Sequence, residues 1–490
     1  MDKQTFDQLR ADGFNRVPVY REILADLDTP LSVYLKLADG PDAYLLESVE
    51  GSDTWGRYSI IGLPCKSRYS LEGNVWTFSE NGEVRETEQV EDPLKRIAQL
   101  QTEFRAPSLD ELPIFTGGLV GYFSYESVRF FEPGLALEEK PDELGTPDMV
   151  MLLSEEVAVF DNLAGRLYLV VNVDPSANAA WDNAQRRLDQ LSHRLRMGGP
   201  GYGESFSRGE VDEKDFHYGF SRSDFISAVK RSKEHILAGD IFQVVLSQRM
   251  SVPFDARPLD VYRALRALNP SPYMYFLDLG DTQIVGSSPE VLVRVQDRKV
   301  TVRPIAGTIH RGANSQEDEI LANQLLSDPK ERAEHLMLID LGRNDVGRVA
   351  KTGSVELTDD MVIERYSHVM HIVSQVDGDL DDGLSAVDAI RSAFPAGTLS
   401  GAPKIRAMEI IGDLEPVKRN VYAGAVGYLS WHDDTDLAIA IRTAVIRNGM
   451  LHVQAGAGIV ADSDPEKEWE ETMNKGRALI AAVNSASTGL

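Results

Sequence analysis

Two stretches of the sequence carry acidic residues at a spacing that could bind a metal ion. Glu331 and Glu334 stand three residues apart in DPKERAEHLMLIDLGRND, and Glu468 and Glu471 repeat that spacing in DPEKEWEETMNKGRALIAAV. Residues three apart share one face of a helix, so each predicted helix presents two carboxylates together. Facing carboxylates repel unless a hard cation lies between them, and oxygen ligands favour Mg²⁺. The same spacing is typical of a solvated helix face, so both interpretations stay open.

Two glycine-containing stretches could bind an anion. In QAGAGIV, the run Gly456-Ala457-Gly458 lets backbone amides approach a carboxylate without obstruction by side chains. This run lacks the third glycine and the helix of a dinucleotide-binding motif. PAGTLSGAPK could hold an anion with Thr398 and Lys404, although an ordinary turn explains it equally well.

A third candidate is the stretch TVRPIAGTIHRG, residues 301–312, in which the small Ala306 stands between Pro304 and Gly307. Alternating strand formers followed by glycine predict a strand that runs into a tight turn at Gly307. A methyl side chain at such a turn leaves space. The pattern does not distinguish simple packing from room for a reactant.

The composition restricts the classes of function. The chain has 490 residues, of which 42% are hydrophobic, and 77 acidic residues against 50 basic ones give a formal charge of -27. We therefore expect repulsion of nucleic acid and of anionic membranes. The absence of a signal-like start and of long apolar runs, together with a single cysteine, Cys65, favours a cytoplasmic protein. An anionic ligand would need a local group of cations.

The strands and helices that the sequence predicts around these residues indicate an α/β chain with antiparallel sheets, the α+β class. We place a boundary in the Gly-, Ser- and charge-rich residues 198–220. Strands are predicted at LSVYLKL, DAYLLESV, MVMLLSEEVAVF, RLYLVVNV, IFQVVLSQRMSVPF, YMYFLDL, TQIVGSSPEVLVRV, YAGAVGYLSW, LAIAIRTAVI and MLHVQAGAGIV. Helices are predicted near 221–238, 316–342 and 465–483.

These motifs together resemble the chorismate-utilising enzymes. The ordered set is SSPEVL, PIAGT, DPKERAEHLMLIDLGRND, FPAGTLSGAPK, YAGAVGY, AIRTA, QAGAGIV and EKEWEETMNK, which spans most of residues 220–490. LLES and NPSPYMYF are similar to the large subunits of anthranilate synthases in that family. The resemblance implies interwoven antiparallel β-sheets packed as a sandwich with surrounding helices. Residues 1–210 would carry a regulatory segment and be interwoven with a catalytic part, 211–490.

The resemblance also implies how the dianionic substrate, chorismate, is held. One carboxylate would be bound through Mg²⁺, with Glu334 and Glu471 as ligands and Glu331 and Glu468 beside them. The other would be held by Arg442, whose guanidinium can grip a carboxylate bidentately. The remaining residues implied to line the site are Tyr422, the amides of Gly456, Ala457 and Gly458, and Gly307, Thr308, Thr398 and Lys475. In LAIAIRTAVI, Arg442 would otherwise be a charge in the middle of an apolar strand.

The catalytic residues implied by the resemblance are Glu290, His371 and Thr398. Loss of a ring hydroxyl needs a proton donor, and Glu290 of SSPE matches the family's general acid. To donate near neutral pH it needs a raised pKa. His371 matches a histidine beside the departing enolpyruvyl group. From the residues alone, Glu290 could be a solvent-facing strand end and His371 a core residue.

Two positions differ between members of the family that use different nucleophiles. Related aminodeoxychorismate synthases often carry Lys where this chain has Ala306, and isochorismate and salicylate enzymes carry a lysine base where it has Gln243. Glutamine cannot abstract a proton from water. The resemblance therefore implies that ammonia occupies the space beside Ala306, aminates chorismate, and leads to anthranilate and pyruvate.

The resemblance finally implies partners and regulation. The chain has no credible glutaminase nucleophile, so ammonia would come from a separate glutamine amidotransferase subunit in a heterodimer or heterotetramer. Feedback-inhibiting tryptophan would bind at Glu47, Ser48, Pro272, Tyr273 and Met274. Alternatives are an aminodeoxychorismate synthase, a tryptophan-insensitive anthranilate synthase of secondary metabolism, and a catalytically silent amino-acid sensor or scaffold.

Overall fold

The computed structural model describes residues 1–49, 56–135, 139–197, 211–366 and 369–488. Most of the predicted boundary at 198–220 lies outside these ranges. The helices are α1 (Lys3–Ala11), α2 (Pro30–Leu37), α3 (Pro93–Glu103), α4 (Val128–Phe131), α5 (Ala180–Met197), α6 (Arg222–Ala238), α7 (Pro258–Leu268), α8 (Ser315–Ser327), α9 (Pro329–Gly347), α10 (Ala386–Ala393), α11 (Gly397–Ser400), α12 (Lys404–Leu414) and α13 (Pro465–Thr488).

The strands of the first half of the chain are β1 (Val17–Leu24), β2 (Ala43–Glu47), β3 (Tyr58–Gly62), β4 (Ser67–Glu72), β5 (Val75–Glu80), β6 (Glu83–Gln89), β7 (Gly118–Phe123), β8 (Met149–Ser154), β9 (Glu156–Asp161), β10 (Arg166–Val173), β11 (His217–Tyr218) and β12 (Gln243–Pro253). Those of the second half are β13 (Tyr273–Asp278), β14 (Thr282–Ser288), β15 (Val291–Gln296), β16 (Lys299–Val302), β17 (Ile305–His310), β18 (Glu356–Arg365), β19 (Val369–Asp379), β20 (Gly401–Ala402), β21 (Ala425–Ser430), β22 (Thr435–Ile439), β23 (Thr443–Arg447) and β24 (Met450–Ile459).

The strands of the described residues form two 12-stranded antiparallel sheets. The first has the order β1-β10-β9-β3-β2-β13-β14-β23-β24-β12-β11, with β20 paired to β12. The second has the order β17-β19-β16-β15-β22-β21-β7-β8-β4-β5-β6, with β18 paired to β19. The predicted class, antiparallel sheets with surrounding helices, is confirmed.

Both sheets contain strands from either side of residue 210. In the first sheet β2 pairs with β13, and in the second β7 pairs with β21. A buried cluster joins the sheets face to face, since Tyr44 and Tyr275 come from the first and Tyr122 and Val150 from the second. The two predicted parts of the chain thus share one core. The division into 1–210 and 211–490 itself stays a prediction.

Several predicted strands are in fact two strands in different sheets. TQIVGSSPEVLVRV divides into β14 of the first sheet and β15 of the second, and LAIAIRTAVI divides into β22 of the second and β23 of the first. MVMLLSEEVAVF likewise divides into β8 and β9. Each break lies at a short polar segment between two apolar runs, and the apolar runs on both sides are alike because both strands are buried. The prediction that Arg442 lies in the middle of a strand is therefore wrong: it lies between β22 and β23.

Three local predictions were also wrong. LSVYLKL forms α2, because Thr29 caps the helix in a reciprocal pair with Ser32 and Pro30 occupies its first turn. The predicted helix 316–342 is two helices, since Asp328 precedes a proline and caps α9. In TVRPIAGTIHRG the strand does not end at Gly307, because its positive φ of 65° is absorbed in a β-bulge of β17.

Candidate functional site

The points where the chain changes sheets bring Glu290 and Arg442 together. Glu290 lies between β14 and β15, and Arg442 lies between β22 and β23. The amide of Ile439 donates to the carbonyl of Glu290 at 3.0 Å, and the amide of Ser287 donates to the carbonyl of Arg442 at 3.1 Å. Arg442 has a positive φ of 47°, an uncommon conformation that interrupts the strand. The two crossovers are thus hydrogen-bonded to each other.

The carboxyl group of Glu290 is buried and holds its proton at neutral pH. Burial raises its pKa to about 8, while a hydrogen bond from Thr398 and the positive charge of Arg442 partly oppose that rise. The Thr398 hydroxyl lies 3.0 Å from Oε1 of Glu290 and donates to it. This environment is that of a general acid rather than of a solvent-facing strand end.

The guanidinium of Arg442 is partly buried and available to bind an anion. Burial lowers its pKa, and the neighbouring Tyr366 and Glu290 favour its charged form. Within the described ranges, no hydrogen bond or ion pair engages this guanidinium. A cation that lacks a protein partner in a buried setting is the arrangement expected for a carboxylate-binding arginine.

His371 lies on β19, directly opposite Thr308 of β17. Its Nδ1 is 2.9 Å from the carbonyl oxygen of Gly307 and 3.1 Å from the Thr308 hydroxyl. Because a carbonyl only accepts, Nδ1 carries the hydrogen, which leaves the Nε2 lone pair available. Burial and the charge of Arg442 lower the pKa of His371, so its ring is neutral near pH 7.

Ala306 belongs to the same strand edge. It is half-buried and pairs with Ile372, the residue after His371. A Cβ placed on the adjacent Gly307 would lie 3.1 Å from a carboxylate oxygen of Glu331. Gly307 of β17 therefore lies at close range to Glu331, the first residue of the acidic pair on α9.

A second group of predicted residues surrounds β24. A Cβ on Gly456 would lie 2.7 Å from the hydroxyl of Tyr422, and one on Gly458 would lie 2.6 Å from Nε2 of Gln243. Lys475 donates from Nζ to the carbonyl of Gly456 at 2.9 Å. The glycines are therefore needed because side chains from three other elements approach the strand backbone.

The two acidic helices carry mutually repelling carboxylates. The pKa of Glu331 is raised by burial and by Glu334, and that of Glu468 is raised by burial and by Glu471. Lys330, at the start of α9, opposes the rise in the pKa of Glu468 on α13, so the start of α9 lies near Glu468. Glu471 forms an ion pair of 2.7 Å with Lys475.

The donor chemistry of these carboxylates fits a hard divalent cation. In the part of the chain that the structure describes, neither Glu331 nor Glu334 has a side-chain hydrogen bond or ion pair. Over the same residues, no group of three His, Cys, Asp or Glu side chains forms a ready-made metal cluster. The pKa of Glu331 is raised, and two adjacent carboxylates without protein partners need a counter-charge, which a cation such as Mg²⁺ would supply.

The predicted anion-binding role of Lys404 does not agree with its contacts. Its Nζ pairs with the carboxylate of Asp345 at 2.9 Å and both side chains are buried. Asp345 lines a small cavity together with Glu290 and Thr398. Sequence reasoning quoted Asp345 within DLGRND without assigning it, and its only signal was a charge among apolar residues of a helix.

A separate cavity of about 600 Å³ lies between the two sheets. Its lining includes all of Glu47, Ser48, Pro272, Tyr273 and Met274. Glu47 and Met274 are direct partners in the pairing of β2 with β13, although they are far apart in sequence. The geometry therefore joins the two predicted pieces of a regulatory site.

The polar groups of this cavity differ in availability. The carboxylate of Glu47 accepts hydrogen bonds from Tyr262 and Arg266 and is therefore already neutralised. The hydroxyl of Ser48 is buried and has no hydrogen-bond partner among the described residues. Sequence reasoning missed Arg294 and Asp436, an ion pair on the cavity wall. Charged residues in the centres of the apolar strands β15 and β22 were the signal for them.

The chain is similar in sequence to a known protein family and to several curated proteins. The family model for chorismate binding enzymes matches residues 52–481. Anthranilate synthase component 1 of Pseudomonas aeruginosa is 57% identical over 99% of this chain and 98% of its own length, and that of Neisseria meningitidis serogroup B is 52% identical over 100% and 99%.

Solved structures show the same fold. Anthranilate synthase component I from Streptococcus pneumoniae superimposes with a TM-score of 0.78 at 40% identity, covering 94% of this chain and 99% of that one. The menaquinone-specific isochorismate synthase from Escherichia coli gives 0.70 at 18% identity, covering 98% and 99%, a likeness of fold alone. No helix in the described ranges is long and apolar enough to cross a membrane.

Proposed function

The chain belongs to the chorismate-binding enzyme family, as its motifs predicted, and we propose that it is component I of an anthranilate synthase in tryptophan biosynthesis. It converts chorismate and ammonia into anthranilate, pyruvate and water. The observation that carries this proposal is the protonated Glu290 beside the unpartnered guanidinium of Arg442. One group donates a proton to a leaving hydroxyl, and the other binds a carboxylate.

The substrate is oriented by its two carboxylates. Arg442 binds one of them bidentately, and the hydroxyl of Tyr422 and the backbone amides of Gly456 to Gly458 complete that subsite. Lys475 is held beside the same strand by its bond to the Gly456 carbonyl. The other carboxylate is directed towards the acidic helices.

A bound Mg²⁺ would be held by Glu334 and Glu471, with Glu331 and Glu468 beside them. When bound it would supply positive charge that offsets part of the negative charge of the acidic pairs and of a substrate carboxylate. The support for this role is the donor chemistry. Each of α9 and α13 carries a pair of repelling carboxylates, and the pair on α9 lacks protein partners among the described residues.

The first step replaces the C4 hydroxyl by amination at C2. Glu290 donates its proton to the hydroxyl oxygen as the C4–O bond breaks, and the group leaves as water. The Thr398 hydroxyl fixes the orientation of that carboxyl group. Ammonia forms the new bond at C2 while the ring double bonds shift, and its excess proton is lost to solvent.

The space for ammonia is defined by two residues that carry no charge. Ala306 leaves a volume beside Gly307 that a lysine would fill. Gln243 lies against Gly458 and cannot act as a base towards water. Both features favour ammonia as the nucleophile over a covalent lysine or a water molecule.

The second step forms the aromatic ring. The proton at C2 is removed, the C3–O bond breaks, and pyruvate leaves with the electrons of that bond. His371 is neutral, and its Nε2 lone pair can accept a proton in this step. Thr308 and the Gly307 carbonyl hold the ring in that tautomer.

A partner subunit supplies the ammonia. The described residues contain one cysteine, Cys65, and burial raises its pKa far above neutrality, which is unsuited to a glutaminase nucleophile. We therefore propose a separate glutamine amidotransferase subunit, in a cytoplasmic heterodimer or heterotetramer.

The cavity between the sheets is proposed to bind the feedback inhibitor tryptophan. Its volume of about 600 Å³ and its apolar and aromatic lining suit an indole. Ser48 offers an unpartnered hydroxyl for the polar end of the ligand. Since Tyr273 and Met274 belong to β13, next to β14 and the Glu290 crossover, occupancy could shift the position of the acid.

The decisive experiment incubates the purified chain with chorismate, ammonium and Mg²⁺, with and without tryptophan. We expect fluorescent anthranilate and pyruvate in equal amounts, and inhibition by tryptophan. Accumulation of aminodeoxychorismate without release of pyruvate would show that the chain is an aminodeoxychorismate synthase. Turnover that tryptophan does not inhibit would indicate a tryptophan-insensitive anthranilate synthase of secondary metabolism. Absence of turnover would indicate a catalytically silent amino-acid sensor.

A further inference from the structure

Arg419 is a buried residue outside the proposed substrate contacts, yet it is bonded to three segments of the site. It is 2% exposed. Its guanidinium donates to both carboxylate oxygens of Glu415, at 2.6 and 2.8 Å. It also donates to the carbonyls of Leu399 and Val245, each at 2.8 Å. One planar cation thus ties together α12, α11 and β12.

Each acceptor lies beside a residue of the site. Leu399 is the neighbour of Thr398, which bonds to Glu290. Val245 is the register partner of Gly458 in the pairing of β12 with β24. The third contact is aromatic: the guanidinium carbon lies 5.7 Å from the ring centroid of Tyr422.

Glu415, the carboxylate partner of Arg419, is also hydrogen-bonded to β12. Oε1 of Glu415 accepts hydrogen bonds from the amide and the hydroxyl of Ser247, at 2.7 and 2.9 Å. Ser247 is the register partner of Gly456. The ion pair therefore fixes β12 at the two positions that face the glycines of β24.

From these contacts we infer that Arg419 and Glu415 are positioning residues that set the geometry of the Tyr422 and Gly456–Gly458 subsite for the substrate carboxylate. This inference rests on the proposed function, because it assigns the pair to the binding of chorismate. The two carbonyl acceptors satisfy the remaining buried N–H groups of Arg419, and they also join the ion pair to the segments next to Thr398 and Gly458. A planar guanidinium can satisfy two carboxylate oxygens and two diverging carbonyls at once, whereas a lysine ammonium cannot.

Two variants separate positioning from stability. Arg419→Lys keeps a positive charge beside Glu415 but removes the planar fork. The double change Glu415→Leu with Arg419→Met removes both charges, a replacement that buried pairs often tolerate. Arg187→Met is the matched control, because Arg187 forms a bidentate pair with Glu156 between α5 and β9, away from the site.

The measurements are KM for chorismate and kcat in the ammonia-dependent reaction, with thermal melting of each variant. We expect KM to rise about tenfold in the double variant while kcat changes less than about threefold. Arg419→Lys should show a smaller rise in KM, and Arg187→Met should leave KM unchanged. An unchanged KM in a folded double variant would overturn the inference.

A failure of this inference can be distinguished from instability of a variant and from a failure of the proposed function. If the double variant does not melt cooperatively, Arg419→Lys decides alone: a raised KM supports positioning, and a KM equal to that of the parent chain refutes it. Absence of turnover in the parent chain would instead refute the proposed function. The affinities of the parent chain and of the double variant for chorismate, measured by calorimetry, would still test the role of the pair.

Discussion

Glu290 and Arg442 lie on two crossovers that exchange backbone hydrogen bonds, so the acid and the anion-binding residue are held in one rigid unit. Each crossover passes between the sheets, and the amides of Ile439 and Ser287 join them at 3.0 and 3.1 Å. Groups carried on strand ends hold their separation better than groups on free loops. The electrostatic coupling of the two residues follows from this arrangement and leads to the first two predictions.

Glu290→Gln should abolish proton donation while keeping the shape of the site. We expect kcat for anthranilate formation to fall at least about 100-fold, the lower range for loss of a general acid. Chorismate affinity, measured by calorimetry, should change little, because Gln still fills the buried position. A variant with near-normal kcat would show that another group donates the proton.

The pH profile should report the Glu290 carboxyl. Its pKa is about 8, and only the protonated form donates, so kcat/KM at constant free ammonia should decline as the pH rises through about 8. The Thr398 hydrogen bond lowers this pKa. Thr398→Val should therefore move the descending limb to higher pH. A limb that stays in place or moves to lower pH would contradict the assignment.

Several candidate residues of the site could be named from the sequence because their motifs are local. The acidic pairs, the small residues of β17 and the glycines of β24 act through spacing within one element. The crossovers between the two sheets could not be predicted from local spacing. LAIAIRTAVI is apolar on both sides of Arg442 and Thr443, since both of its strands are buried, and the backbone conformation of Arg442 reveals the break. The cavity between the sheets depends on the pairing of β2 with β13, a contact between distant segments.

Ala306→Lys tests the space assigned to ammonia. A lysine there would add a long cationic side chain to β17 next to Gly307, at the position proposed to leave space for ammonia, so we expect anthranilate formation to be abolished. Ala306→Ser, which adds a single oxygen, should retain most of the activity and serves as the control. Product fluorescence measures turnover, and mass spectrometry reveals any covalent adduct. Normal turnover by the lysine variant would refute this role for the position.

Glu334→Gln should weaken the binding of Mg²⁺ without destabilising the fold. Removing one charge from an unpartnered carboxylate pair relieves repulsion, so the melting temperature should not fall. The Mg²⁺ concentration for half-maximal activity should rise about 10- to 100-fold. Glu470→Gln is the matched control, because Glu470 pairs with Arg477 on an exposed face. Equal Mg²⁺ curves for the two variants would exclude Glu334 from the metal site.

Ser48→Ala tests the regulatory cavity without touching the catalytic residues. Ser48 presents a buried hydroxyl that has no partner among the described residues, so a ligand that bonds to it gains an interaction at little cost. Loss of one such hydrogen bond, worth about 1 kcal/mol, should raise the half-inhibitory concentration of tryptophan about fivefold. Turnover without tryptophan should be unchanged. Ser392→Ala is the control, because that hydroxyl bonds within α10 to the carbonyl of Ala389. If tryptophan inhibits both variants equally, the inhibitor does not bond to Ser48, and its binding site must be sought outside this part of the cavity.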